Sequence, residues 1–255
     1  MAARHLFAGL AWARGLLPLV LLLAVWQLVF ARASIHFPPP LAWWDSLVTL
    51  QKTGLLSEAT LATLGSVLSG FLLASACGLA GGLLIGVSRT ARRILGPLLE
   101  FFRALPPPVL VPVLILWLGY AESLKLLVVV SAAIWPVLLN VSAAITRTEP
   151  LLLDVARSFK LSRAKTIWKI LIPASMPEFF LGMRVALPLA VVVTLLVEIL
   201  TSLPGIGSLM TQAQRNYQSA QLFGLLVVVG LLGFSISAAF TLVEKSVVGR
   251  WQPRR

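Results

Sequence analysis

TRTEPLLLDVARSFKLSRAKTIWKILIPASMPEFFLGMR, residues 146–184, is the longest charge-bearing stretch in an otherwise apolar chain, and its reading decides the fold. Thr148, Glu149 and Pro150 suit the opening turn of a helix. Leu151, Leu152, Val155 and Phe159 then recur at helical spacing, with Asp154, Arg157 and Lys160 on the other side. Ser162 is placed to cap a second helix running to Ile172, with Ala164, Ile167, Trp168 and Leu171 on one face and Lys165 and Lys169 on another. Pro173 and Pro177 are expected to limit its continuation. From pattern alone two readings stand level: a helix pair lying on anionic lipid, for which Trp168 and the basic faces are suited, and a docking element for a protein partner.

Working outward, the rest of the chain explains why such an element would sit here. Of 255 residues, 58% are hydrophobic and only 12% charged, and the mean hydropathy is +0.94. That is the composition of an all-α, polytopic membrane protein. A span needs about 20 apolar residues to cross a hydrocarbon core of roughly 30 Å, which gives six candidates at 15–31, 59–88, 104–121, 126–146, 182–201 and 222–243. The second is longer than needed; the third is short and rich in proline. The chain is thereby divided into residues 1–58 (tail, first span and following loop), a core at 59–246 containing the loop at 146–182, and a basic tail at 247–255.

With the N-terminus in the cytosol, only Arg32, Lys52, Lys125 and Arg215 of the 21 basic residues fall on the far side. This bias places both termini and the 146–182 loop in the cytosol. The net charge of +12 is then accounted for by loops beside anionic lipid, and no nucleic-acid partner is expected. The N-terminal segment, ending Ala31-Arg32-Ala33, reads as an uncleaved anchor, with a cleavable signal peptide as the alternative. Cys77 reads as a small packing residue. His5 and His36 lack companions for a metal site, so none is expected.

The second candidate span carries Ala62, Ser66, Gly70, Ala74, Gly78, Gly82 and Gly86 at strict four-residue spacing. Such a smooth stripe lets helix backbones approach closely in lipid, and Gly70, Gly78, Gly82 and Gly86 are expected packing residues. The facing helix could belong to this chain or to another copy. The third span opens on Pro106-Pro107-Pro108, so a broken helix is expected there, either lining a pathway or capping a tilted helix. Pro136 and Pro188 are possible kinks in later spans. Glu198, about 24 Å along its span from Gly182, is the main ionisable group in a span. It reads as a pathway group, as a structural partner for a helix end or Arg215, or as a group reaching the outer headgroups directly. Asn140 and Thr194 are weaker pathway candidates, with helix-to-helix hydrogen bonding as their alternative.

The chain contains no G-x-x-x-x-G-K-[ST], H-E-x-x-H or G-x-S-x-G motif. It is therefore read as a non-enzyme without a cofactor of its own, and any ATP hydrolysis would belong to another polypeptide.

The segment DVARSFKLSRAKTIWKILIPASMPEFFLGMRVAL resembles the EAA loop of bacterial ATP-binding-cassette importer permeases. FFRALPPPVLVPVLILWLG and the stretch 198–207 are similar to the branch serving nitrate, taurine and alkanesulfonates. The resemblance runs from about Thr60 to the C-terminus. Asp154, Val155 and Ala156 stand where E-A-A is usual, and Leu161, Ser162 and Pro173 match; Lys160 stands where the family has glycine. The resemblance implies a type I importer permease fold in the bacterial inner membrane and favours protein docking for the loop. It implies an ATPase-coupling role for Asp154, Ala156, Arg157, Phe159, Lys160, Leu161, Ser162 and Arg163. Its implied partners are two cytosolic ATPase subunits carrying ATP and magnesium, a second permease (an identical copy, or a different one) and a periplasmic or lipid-anchored binding protein. The solute would be a small anion. A secondary transporter or channel, or a non-transporting scaffold subunit, are the alternatives from other classes.

Overall fold

The computed structural model describes residues 17–30 and 36–248. The Ala31-Arg32-Ala33 signature, His5 and most of the basic tail lie outside them. Among the described residues no strand occurs. The helices are α1 (Leu17–Val29), α2 (Pro40–Lys52), α3 (Leu55–Val87), α4 (Arg89–Ala104), α5 (Pro107–Leu118), α6 (Glu122–Thr146), α7 (Pro150–Ser158), α8 (Arg163–Thr166), α9 (Ile172–Thr201), α10 (Ile206–Arg215) and α11 (Ser219–Val248). Among the described residues four stretches are long and apolar enough to cross a membrane, Leu55–Val87, Glu122–Thr146, Arg163–Thr201 and Ser219–Val247, and the bent pair Arg89–Ala104 with Pro107–Leu118 makes a fifth if it is one broken span.

The chain forms two compact units. In the smaller one (Met1–Glu58 and Leu209–Val229), aromatic packing dominates. Trp43 stacks on Phe223 at 5.3 Å, and Trp26 meets Trp43 edge-on at 5.4 Å. Both indole N–H groups donate to the Pro38 carbonyl, at 3.2 and 2.9 Å, so the aromatic cluster keeps its polar edges satisfied.

In the larger unit (Ala59–Ser208 and Gly230–Arg255), α3 lays its small-residue stripe against α6 of the same chain. A Cβ added to Gly70, Gly78, Gly82 or Gly86 would run into Val129, Val137, Val141 or Ile145 respectively. The knobs on α6 thus repeat at the same four-residue interval as the gaps on α3. On another side of α6, Gly182 of α9 allows equally close approach: a Cβ there would sit 2.8 Å from both the Pro136 carbonyl oxygen and Val137 Cα. We expect Gly82→Val to cost about 3 kcal/mol by overpacking, since its Cβ would lie 2.8 Å from the Leu138 carbonyl oxygen, which cannot rotate away. Thermal unfolding in detergent checks this, with Gly233→Ala, in open space inside α11, as a control that should not melt lower than the wild type.

Two sequence expectations need correction. The stretch at 104–121 does not make a span by itself; it is long and apolar enough only together with the helix before it, as a bent pair. α4 and α5 meet at 93°, and twelve-residue α5 reaches only about 18 Å. Leu105 and Pro106 each precede a proline and take extended backbone (ψ 122° and 126°), so the helix cannot continue through them. α4, whose residues fall between the second and third candidate spans, is a helix capped by the Ser88 hydroxyl, which accepts from the Ala91 N–H at 3.1 Å. The second correction concerns Pro173 and Pro177, which do not stop the helix. A π turn at Ile167–Leu171 precedes them, with the Ile172 N–H donating to the Ile167 carbonyl, and helix runs on to Thr201. The wider turn takes up the ring of Pro173, which sits in the first turn of α9 where a missing N–H is tolerated.

Candidate functional site

Two constellations, at opposite ends of α6, hold the residues that sequence analysis singled out. At the N-terminal end of α6, Glu198 and Lys125 are both wholly buried and their charged groups lie 3.3 Å apart. Thr63 of α3 presents its hydroxyl 3.0 Å from each carboxylate oxygen, donating to one of them, and the Gly207 N–H donates to Oε2 at 3.0 Å. The Ile206 N–H in turn donates to Thr63 Oγ1 at 2.9 Å. Lys125 Nζ also donates to the Pro204 carbonyl at 2.9 Å and lies 3.2 Å from Glu122. One carboxylate therefore ties together α3, α6, the end of α9 and the first turn of α10, whose buried backbone N–H groups favour an anion. The packing leaves no choice of residue at 205 or 207. A Cβ on Gly205 would fall on the Glu198 carboxylate, and one on Gly207 would lie 2.6 Å from the Leu195 carbonyl oxygen.

Lys125 had been assigned to a loop on the far side of the membrane; the structure puts it in the first turn of α6 with no exposed side chain. The available signal was the pairing of Glu198 with glycines seven and nine residues on, which leave room for a carboxylate. Of the other pathway candidates, Thr194 is wholly buried and its hydroxyl has no hydrogen-bond partner. Asn140 donates from Nδ2 to the Pro136 carbonyl one turn back in its own helix, at 2.7 Å.

At the C-terminal end of α6, the 146–182 loop forms the second constellation. α7 begins at Pro150, after Glu149, and turns Ala156 inward to 3% exposure. Leu153 packs on the core beside it. That leaves Leu151 (68% exposed), Val155 (42%) and Phe159 (75%) pointing away from the protein, so the apolar face read from sequence is largely uncovered. Asp154 and Arg157 form an exposed 3.0 Å ion pair, of little weight for stability.

The turn after α7 is a Schellman motif: the Lys160 N–H donates to the Arg157 carbonyl at 2.9 Å and the Leu161 N–H to the Ala156 carbonyl at 3.0 Å. The motif needs left-handed backbone at Lys160, which has φ 50°. The chain thus keeps the turn that glycine would make easily, at a conformational cost of about 1 kcal/mol. Lys160→Gly is accordingly expected to slow hydrogen exchange at the Leu161 amide by about fivefold, measured by mass spectrometry. Ser162 then caps α8, its hydroxyl accepting from the Lys165 N–H at 3.4 Å. Arg163 is exposed; within the π turn Trp168 is exposed while Leu171 is buried, so the two do not share the face anticipated for an ordinary helix.

The binding-protein-dependent transport system inner membrane component family matches residues 78–250, which include both constellations except Thr63. The chain belongs to that family. This permease is 30% identical to a probable ABC transporter permease protein of Brucella abortus (strain 2308), over 90% of its own length and 91% of the relative's. It is 29% identical to the bicarbonate transport system permease protein of Synechocystis, covering 88% and 85%, and 25% identical to the taurine transport system permease protein of Escherichia coli, covering 89% and 86%. Among solved structures, an inward-facing form of the MetNI methionine ABC transporter superposes with a TM-score of 0.69 at 17% identity, over 77% of the permease and 98% of that chain. The permease therefore has the type I importer permease fold and is a transport component of the membrane.

Proposed function

We propose that this permease, with a second permease subunit, forms the pathway of an ATP-driven importer for a small anion, and that cytosolic ATPases drive it through the 146–182 loop. The observation that carries the reading is the uncovered apolar face of α7, fixed to the core by Leu153 and Ala156 and ended by the left-handed turn at Lys160. A helix anchored on one side and greasy on the other is built to seat in a partner's groove. Asp154, Arg157, Leu161, Ser162 and Arg163 frame that surface. ATP and magnesium belong to the ATPase, and a binding protein on the far side delivers the solute. Both termini and the loop face the cytosol, in keeping with the distribution of basic residues.

An anionic solute is supported by the relatives that carry bicarbonate and the sulfonate taurine. On burial, we assign Glu198 and Thr194 to the framework of the subunit, and Asn140, part-buried and bonded within its own helix, remains the pathway candidate of the three. The test is co-purification of the permease with its ATPase and binding protein, followed by reconstitution in vesicles. Solute-dependent ATP hydrolysis and uptake of an anion are expected. Uptake driven by a proton or sodium gradient without ATP would contradict the reading.

A further inference from the structure

The end of α6 nearest the loop holds a second charged feature that the coupling surface does not use. A cavity of about 390 Å³ opens between α3, α4 and α6, lined by Arg92, Arg147, Glu100, Ser142 and Thr146 among others. Arg92 donates from Nη2 to the Gly86 carbonyl at 3.1 Å, while its Nε is shielded from solvent and has no acceptor. Glu100 is already neutralised by Arg103, 2.5 Å away. The two remaining guanidiniums therefore leave the cavity cationic, with one N–H donor removed from water and unsatisfied, a costly arrangement unless an acceptor reaches it.

The outer face of α4 adds the second observation. Ile94 (69% exposed), Leu98 (50%) and Phe101 (59%) recur along one face, and Arg89 and Arg93 are exposed on the same helix. An amphipathic basic helix beside a cationic pocket matches a molecule with an anionic head and apolar tails.

We propose that this cavity seats the phosphate group of an anionic phospholipid of the cytosolic leaflet, with its acyl chains along Ile94, Leu98 and Phe101. The leaflet follows from the orientation under Proposed function, on which the inference rests. Both guanidiniums can donate to the phosphate, and the Ser142 and Thr146 side chains line the wall beside it.

The test uses the intact transporter complex in nanodiscs containing phosphatidylglycerol and phosphatidylcholine, released into native mass spectrometry. Retained phosphatidylglycerol is expected on the wild type and on Lys52→Gln, which removes an exposed cation elsewhere. It should fall at least tenfold in Arg92→Gln/Arg147→Gln, and severalfold in Arg147→Gln alone, which keeps the bond from Arg92 to Gly86. Equal retention in all variants overturns the proposal. So does displacement of the lipid by millimolar inorganic phosphate that stays bound, because the site would then serve a free anion. A cysteine at Thr90, placed in a Cys77→Ala background and probed with an impermeant thiol reagent, reads the orientation separately. Labelling from outside the cell with retention intact would sink the orientation and leave the lipid site standing.

Discussion

Replacing Lys125 by Met is expected to destabilise the permease by about 3–5 kcal/mol, because it leaves the wholly buried Glu198 carboxylate without its counter-charge, and replacing Glu198 by Gln by somewhat less, because Lys125 keeps Glu122 at 3.2 Å. For a chain of this size that corresponds to a fall of roughly 10 °C in apparent melting temperature. The combined Lys125→Met/Glu198→Gln variant is expected to be more stable than either single one. Gln keeps a carbonyl oxygen for the Gly207 N–H and the Thr63 hydroxyl, and Met fills the volume of Lys without its charge. Thermal unfolding of the four proteins in one detergent, followed by near-ultraviolet circular dichroism, forms a double-mutant cycle. Additive losses would show that the two groups do not act as a pair. If instead the single variants melt normally but transport nothing, Glu198 is a pathway residue and the framework assignment fails.

The second large effect is expected at the other end of α6. Val155→Asp/Phe159→Asp should lower solute-stimulated ATP hydrolysis at least thirtyfold while the permease inserts and melts as the wild type does. Both side chains are exposed, 42% and 75%, so their replacement removes little from the subunit's own packing. Buried in a partner's groove, an aromatic anchor contributes about 2 kcal/mol or more, enough for that loss of affinity. Phe159→Leu should retain much of the activity. Ala156→Asp provides the contrast: it places a charge at a 3% exposed site and should damage stability and coupling together. Normal stimulation in Val155→Asp/Phe159→Asp would remove α7 from the coupling route.

What the sequence made legible was periodic, and what it hid was pairwise. The glycines at 70, 78, 82 and 86 announced a close helix contact, but the partner appeared only when Val129, Val137, Val141 and Ile145 were found opposite them. The start of α7 at Pro150 and the cap at Ser162 are local effects of backbone chemistry, and both were readable. The π turn before Pro173 was not, because no residue type marks it; its role emerges only when a continuous helix has to accommodate the ring. Counting cations toward membrane sidedness treats Lys125 as a loop charge, yet a lysine in the first turn of α6 can instead fold inward to a carboxylate far away in sequence. Glu198 was noticed as an intramembrane charge, but its partners Thr63, Lys125 and the Gly207 N–H were not. The three prolines at 106–108 signalled a break but not its angle, nor that the preceding α4 would be helical.

The claim that most of this rests on is that an ATPase grips the outward face of α7. Cys77 is the single native cysteine, so a Cys77→Ala background carrying one cysteine at Val155 or Phe159 permits site-specific crosslinking in the assembled complex. A short thiol-to-amine crosslinker is predicted to join the permease to its nucleotide-hydrolysing partner, and impermeant thiol reagents applied to intact cells are predicted to leave both positions unlabelled. A permease that crosslinks only to lipid-facing neighbours, or is labelled at these positions from outside the cell, would contradict the account.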